Sequence, residues 1–171
     1  MSLSIFEYLA TDHDRLERLL DEAVAGHAIA IEPYEQFRRG ILRHIGIEER
    51  ILIPAILQAR GDASSPDADR LRLDHGAIVA LLVPPPNAAI IRTLRHILGP
   101  HNELEEGEKG IYRVLETMDG PNTAALVAKM KAAGEVPVMP FNAKPDVLEV
   151  TKRALARAGY ELLEDTNTDS A

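Results

Sequence analysis

Apolar residues recur along most of the chain at the three-and-four spacing of helices buried on one side, and the pattern resolves into four long segments on short connections. In the first, Ile5, Phe6, Leu9, His13, Leu16, Leu20 and Ala23 form one stripe, Ser4 and Glu7 have the spacing of a capping box, and Gly26 supplies a stop. The second opens with Pro33 at its first position and runs to about residue 59, ahead of Gly61. Phe37, Ile41, His44, Glu48, Leu52 and Ala55 share one of its faces, and Pro54 predicts a kink in its last turns.

Ser65 and Pro66 are cap and first-turn signals for a third helix over residues 66–83, closed by Pro84, Pro85 and Pro86, with Leu71, His75, Ile78 and Leu82 inward. Asn87 caps a fourth that is expected to reach about residue 117 across a kink at Pro100, with Ile90, Leu94, Ile97, His101, Glu105 and Tyr112 inward. Four such helices predict an all-α fold, an up-down-up-down antiparallel four-helix bundle over residues 1–119. Residues 120–171 are expected to form a short C-terminal extension: helices over 122–133 and 145–158, a Pro-rich loop between them, and a tail from 164 with the composition of a disordered segment. No chemistry is evident in this extension, which is expected to cover the bundle or to meet a protein partner or a second copy.

The inward stripes contain groups that an apolar core does not tolerate unpaired. His44 and Glu48 stand four residues apart, a separation of about 400° and roughly 6 Å of rise on a helix, so both side chains share one face and reach one point. The pattern recurs as His101, Glu105 and Glu106, matching His44, Glu48 and Glu49, and each occurrence is preceded by a helix with an Asp-His pair, Asp12-His13 and Asp74-His75. The chain is therefore a twofold internal repeat of a helix pair. The first hairpin brings His13 level with His44; in the second, His101 lies some residues deeper than His75, an offset assigned to the Pro100 kink or to helix tilt.

A lone histidine on an apolar face is usually a hydrogen-bonded core group, and a lone His-xxx-Glu is usually a pair on a solvated face. Four histidines and two glutamates on inner faces at compatible depths would impose a severe burial penalty on an empty core. A cation removes it, and the candidate ligands are His13, His44, Glu48, His75, His101 and Glu105. His27 follows the first stop signal and His96 meets Pro100, not a glutamate, four residues on; both fall outside the set. Glu49 and Glu106 are one step, about 100°, off the ligand face and are expected to be mostly solvated. Asp12 and Asp74 either orient an imidazole or face water.

Composition narrows the chemistry. The 171 residues lack cysteine, so any metal must be held by nitrogen and oxygen. A net charge of −8 argues against nonspecific binding to nucleic acid or to an anionic membrane. No stretch approaches the ~18 apolar residues of a membrane span and no targeting signal is recognisable, so a cytoplasmic protein is expected. Four imidazoles and two carboxylates suit iron, manganese or zinc. Two glutamates able to bridge imply two ions, and a solvent-derived bridge would give each ion five donors and leave one octahedral position vacant. Redox-active iron uses such a vacancy for dioxygen, nitric oxide or peroxide, whereas zinc has no use for it; the expected cofactor is a bridged pair of iron ions.

At these residues the chain resembles the hemerythrin-like, HHE cation-binding family. The resemblance covers roughly residues 5–118 and rests on Asp12-His13, His44-xxx-Glu48-Glu49, Asp74-His75 and His101-xxx-Glu105-Glu106. It implies a four-helix bundle with a non-haem di-iron centre, His13 and His44 on one iron, His75 and His101 on the other, and Glu48 and Glu105 as bridges. The oxygen-carrying members place a further histidine where this chain has Val79, and their final carboxylate would select Glu106; the internal repeat favours Glu105. Without that histidine the resemblance implies sensing, nitric oxide or peroxide handling, or iron storage and repair in preference to reversible oxygen transport.

The reading that follows is a di-iron protein that binds or reacts with a small diatomic or peroxide ligand in sensing, stress response or iron handling. No general acid or base is evident beyond the ligands, so turnover of an organic substrate is not expected. One alternative is a di-iron oxidase, peroxidase or iron-sulfur repair enzyme; another is a helical interaction module with a structural metal, whose partner surface would lie beyond Gly120.

Overall fold

Caps encoded in the sequence fix where the long helices begin. The computed structural model describes residues 3–118 and 122–164, and all regular structure among them is helical. Helix α1 (Ile5–Val24) opens on the reciprocal cap: the Ser4 hydroxyl accepts from the Glu7 N–H at 3.0 Å and the Glu7 carboxylate accepts from the Ser4 N–H at 2.9 Å. Ser65 accepts from the Ala68 N–H at the start of α4 (Pro66–Leu81), and Asn87 from the Ile90 N–H at the start of α5 (Ala88–Glu106). Helix α2 (Ile31–Ile47) begins two residues ahead of Pro33, after Ala30, which offers no side-chain cap.

Two of the expected long helices are interrupted, and both interruptions matter for the site. The helix expected to reach about residue 59 passes through a π-helical turn, Glu48–Leu52, before resuming as α3 (Ile53–Arg60), which Gly61 ends at φ 71°. In that turn the Ile53 N–H reaches back to the Glu48 carbonyl. Pro54 follows at once and has no N–H to give, so the break predicted there takes the form of a widened turn. The helix expected to run from Asn87 to residue 117 ends instead at Glu106, and α6 (Ile111–Thr117) starts after residues 107–110. A Cβ at Gly110 would overlap the Glu105 carbonyl oxygen, so the chain turns here only because the residue has no side chain.

Apolar side chains gather in two clusters, one on each side of a polar layer. One is built on Leu16, Leu20, Phe37, Ile41, Ile78 and Leu94, the other on Ile5, Leu9, Ile47, Leu52, Leu71 and Leu115. His13 falls between Leu9 and Leu16, and His75 between Leu71 and Ile78, so each stripe crosses from one cluster to the other through its histidine. Helix α1 packs chiefly on α2, α4 packs on α5 and more extensively on the C-terminal helix over residues 145–157, and α6 closes against both α5 and α1.

The last two helices are part of this packing. Helix α7 (Thr123–Ala132), capped by Asn122, contributes Val127 and Met130 to the second cluster, and α8 (Pro145–Arg157) lays Leu155 and the following Ala158 into the first. The segment between them is tied down by Arg38, which is buried, donates to the Leu82 and Met139 carbonyls, and stacks its guanidinium 4.1 Å from the Phe141 ring. The boundary expected at residues 119–120 and the tail beyond residue 164 lie outside the described residues. Among the described residues, no helix is long and apolar enough to cross a membrane.

Because the Leu155 side chain is fully enclosed, Leu155→Ala should destabilise the protein by about 2–5 kcal/mol, read as a shift in the denaturant midpoint.

Candidate metal centre

Four helical segments deliver one histidine each to the polar layer. All four are buried, and so are Glu48 and Glu105, which are completely inaccessible. The six residues predicted from the sequence come together as two groups that share both glutamates: His13, His44, Glu48 and Glu105, and Glu48, His75, His101 and Glu105, each with its donor atoms within 4.8 Å of one another. His27 and His96 are exposed, and His96 packs its ring against Tyr160 instead.

Each glutamate divides its two oxygens between two imidazoles. Glu48 Oε1 lies 3.3 Å from His44 Nε2 and its Oε2 3.1 Å from His75 Nε2; Glu105 Oε1 lies 3.3 Å from His101 Nε2 and its Oε2 3.4 Å from His13 Nε2. Glu48 Oε2, Glu105 Oε1 and His75 Nε2 have no hydrogen-bond partner although all are buried. Polar atoms facing each other at this range without hydrogen bonds are costly in a dry interior. The spacing does suit donors on a shared ion: bonds of about 2.1 Å put neighbouring donors roughly 3.0–3.4 Å apart for octahedral to tetrahedral arrangements. The residues present therefore fit a pair of cations bridged by two carboxylates.

Three of the four other ring nitrogens are hydrogen-bonded from outside, each by a carboxylate from the neighbouring helix, and the fourth, on His101, faces such a carboxylate without a hydrogen bond. His44 Nδ1 meets Asp12 Oδ2 at 2.9 Å, His75 Nδ1 meets Glu49 Oε1 at 2.6 Å, and His13 Nδ1 contacts Glu106 Oε1. His101 Nδ1 faces Asp74 Oδ2 at 3.5 Å, the loosest of the four. A carboxylate at Nδ1 places the proton there and turns the Nε2 lone pair inward. Asp12 and Asp74 thus serve the histidine of the next helix and not the one beside them in sequence. The expectation that Glu49 and Glu106 are mostly solvated is corrected: both are about one-third exposed, yet each reaches back to a buried imidazole. For Glu49 the widened turn at 48–52 changes the register that regular helical arithmetic assumes.

Arginines brace three of these outer carboxylates. Arg15 donates to Asp12 at 2.8 Å, Arg72 sits 3.5 Å from Glu49, and Arg70 grips Asp74. Arg70 also donates to the Ala158 carbonyl at 2.8 Å and lies over the Tyr160 ring. The extension in which the sequence showed no chemistry thus helps to hold the support of His101.

Tyr112 is the residue at the site that spacing did not single out, beyond placing it inward. Its hydroxyl donates to Glu48 Oε1 at 2.5 Å, with Glu105 Oε2 at 3.0 Å and His44 Nε2 at 3.4 Å. On an uninterrupted helix Tyr112 would lie about 10 Å beyond Glu105. The Gly107 and Gly110 break brings it back, and Glu116, accepting from the Phe6 N–H at 2.9 Å, pins α6 to the start of α1. The two glycines were the available signal.

Without a cation, protons manage the charge. Burial alone would lower the His44 pKa, but Glu48 and Asp12 outweigh it and raise it to about 9. His75 is likewise raised to about 9 by Glu48 and Glu49 against the effect of burial. Glu48, buried between these imidazoles, is held well below the usual carboxylate range, while burial and the neighbouring Glu48 charge push Glu105 well above it. Burial beside both carboxylates also raises the Tyr112 hydroxyl.

Paired imidazole-carboxylate clusters in a dry helical interior define a helical cation-binding protein. The family model of the hemerythrin HHE cation-binding domain matches residues 4–109, and the chain belongs to that family. No curated protein and no solved structure matches the chain.

Cation binding must displace the protons that His44 and His75 otherwise retain to about pH 9, so apparent affinity in a competition titration should climb steadily from pH 6.5 to 9. The metal-free protein should show the opposite sign: the stability from these two raised imidazoles is complete below about 6.5 and is lost as pH rises through about 9. Asp12→Ala, which strips His44 of its outer partner, should weaken cation binding by roughly 10–100-fold; an unchanged affinity in the same titration would contradict the orienting role.

Proposed function

We propose that His13, His44, Glu48 and Glu105 hold one iron ion, that Glu48, His75, His101 and Glu105 hold a second, and that the pair binds or reacts with dioxygen, nitric oxide or peroxide. The role is in sensing, stress response or iron handling. The supporting observation is the division of each glutamate's two oxygens between imidazoles of different halves, the disposition of a bridging carboxylate. An interaction module with one structural metal needs no second set of donors. In the same reading, the four histidine-bearing helices are the up-down-up-down bundle of a domain over residues 1–119, and residues 120–171 are its extension.

An iron pair held here supplies redox-active ions with a position open to a small ligand. The chain's own residues define what reaches it. A cavity of about 150 Å³ abuts His13 and is walled by Leu16, Leu20, Phe37, Ile41 and Leu98, with Asn102 beside it. That space accommodates a diatomic molecule or peroxide and is smaller than the pockets of about 300 Å³ and upwards that enclose organic substrates. The two apolar clusters keep water from the imidazoles, and the outer carboxylates hold the Nδ1 protons so that Nε2 stays free to donate.

Protein purified without oxygen should contain two irons per chain, and its optical spectrum should change on adding oxygen or nitric oxide. Glu48→Ala or Glu105→Ala should lower iron content sharply, while His27→Ala leaves it unchanged. One zinc per chain and a silent spectrum, or equal losses in all three variants, would overturn the assignment.

A further inference from the structure

The twofold pattern of the centre is complete in its four imidazoles, two shared carboxylates and four outer carboxylates, and it fails at one residue. Among the described residues, Tyr112 has no counterpart in the other half. Its hydroxyl meets Glu48 Oε1 and Glu105 Oε2, the two oxygens turned toward His44 and His13. Glu48 Oε2 and Glu105 Oε1, turned toward His75 and His101, have no hydrogen-bond partner among the described residues. The same hydroxyl stands 3.4 Å from His44 Nε2, and the Tyr112 ring lies 6.0 Å from that of His13.

These separations of 2.5, 3.0 and 3.4 Å span the roughly 3.0 Å expected between adjacent donors on one ion with bonds of about 2.1 Å. A hydroxyl placed only to satisfy one carboxylate needs a single such contact. This one lies against three of the four donor groups of one cluster, and it is fully buried, so it cannot turn to solvent. The chain also goes to some length to put it there, with the glycine break after α5 and the Glu116 anchor on α1.

We propose that Tyr112 is a fifth protein donor to the cation held by His13 and His44, binding through its phenolic oxygen, so that the two cation positions are chemically unequal. As the metal–oxygen bond forms, the hydroxyl proton leaves to bulk water and no electron is transferred. The His13–His44 position then has two nitrogens and three oxygens from protein, and the His75–His101 position two of each.

The inference rests on the bridged two-cation reading, and one preparation tests the two separately. The full chain is loaded with ferric iron, its iron is counted, and resonance Raman spectra are recorded with excitation in the visible. The expected result is two irons per chain, a phenolate-to-iron charge-transfer band, and tyrosinate ring vibrations enhanced within it. In Tyr112→Phe the band and the vibrations should vanish while iron content stays at two. Two irons in the unaltered protein with no tyrosinate vibrations would overturn the Tyr112 assignment alone, and so would vibrations that persist in the variant. Fewer than two irons in the unaltered protein would overturn the reading beneath it. Should the variant not fold, the unaltered protein decides the matter: among the other three tyrosines, Tyr34 stacks with Phe37 and Phe141, Tyr160 packs on His96, and the Tyr8 hydroxyl meets Arg43, so a tyrosinate signal reports Tyr112.

Discussion

The structure depends on keeping six ionisable side chains dry while their inward atoms point at one another. Removing a single charge from water costs several kcal/mol even after relaxation, and the low dielectric between the two apolar clusters amplifies every uncompensated contact. The outer carboxylates meet half of this demand. By taking Nδ1 of His13, His44 and His75, and facing that of His101, they set ring orientation and leave chiefly the Nε2 atoms and two glutamates to be satisfied from within. A cation pair meets the other half. In its absence the raised imidazoles and the raised Glu105 carboxyl carry protons where metal charge would otherwise be.

Much of this was legible in the sequence because it is local. Ser4 with Glu7, Ser65 with Ala68, and Asn87 with Ile90 are caps whose geometry depends only on residues three apart. The pairs His44–Glu48 and His101–Glu105 depend only on helical spacing. What stayed hidden involves either a broken helix or a partner on another one. Arithmetic that assumes uninterrupted α-helix misplaced Glu49 across a π-turn, and across a glycine break it gave Tyr112 an inward face but not its approach to the glutamates. Glu106 was expected in solvent and Asp12 left open for a different reason: a side chain can be partly exposed and still place one oxygen on a buried ring, and spacing along its own helix says nothing of which ring that is.

The C-terminal third is a further case. Its helices are short, so the sequence showed amphipathic segments without a destination. In the structure Leu155 and Ala158 complete one apolar cluster, and Arg70 ties the Ala158 carbonyl to Asp74. A backbone group more than eighty positions away in sequence thereby steadies the carboxylate facing His101. The extension thus reaches the support of His101 through the Arg70 guanidinium.

The outer contacts also run in one direction around the molecule. Asp12 of α1 serves His44 of α2, Glu49 after α2 serves His75 of α4, Asp74 of α4 serves His101 of α5, and Glu106 of α5 returns to His13 of α1. Every histidine-bearing segment is thus both a giver and a receiver in a closed circuit, and rotating any of them disturbs two links together. Inserting one residue into such a segment turns everything beyond it by about 100°. Length variation in descendants of this sequence should therefore be confined to the connections and helix ends, since the circuit admits no single-residue slip in the rods it joins.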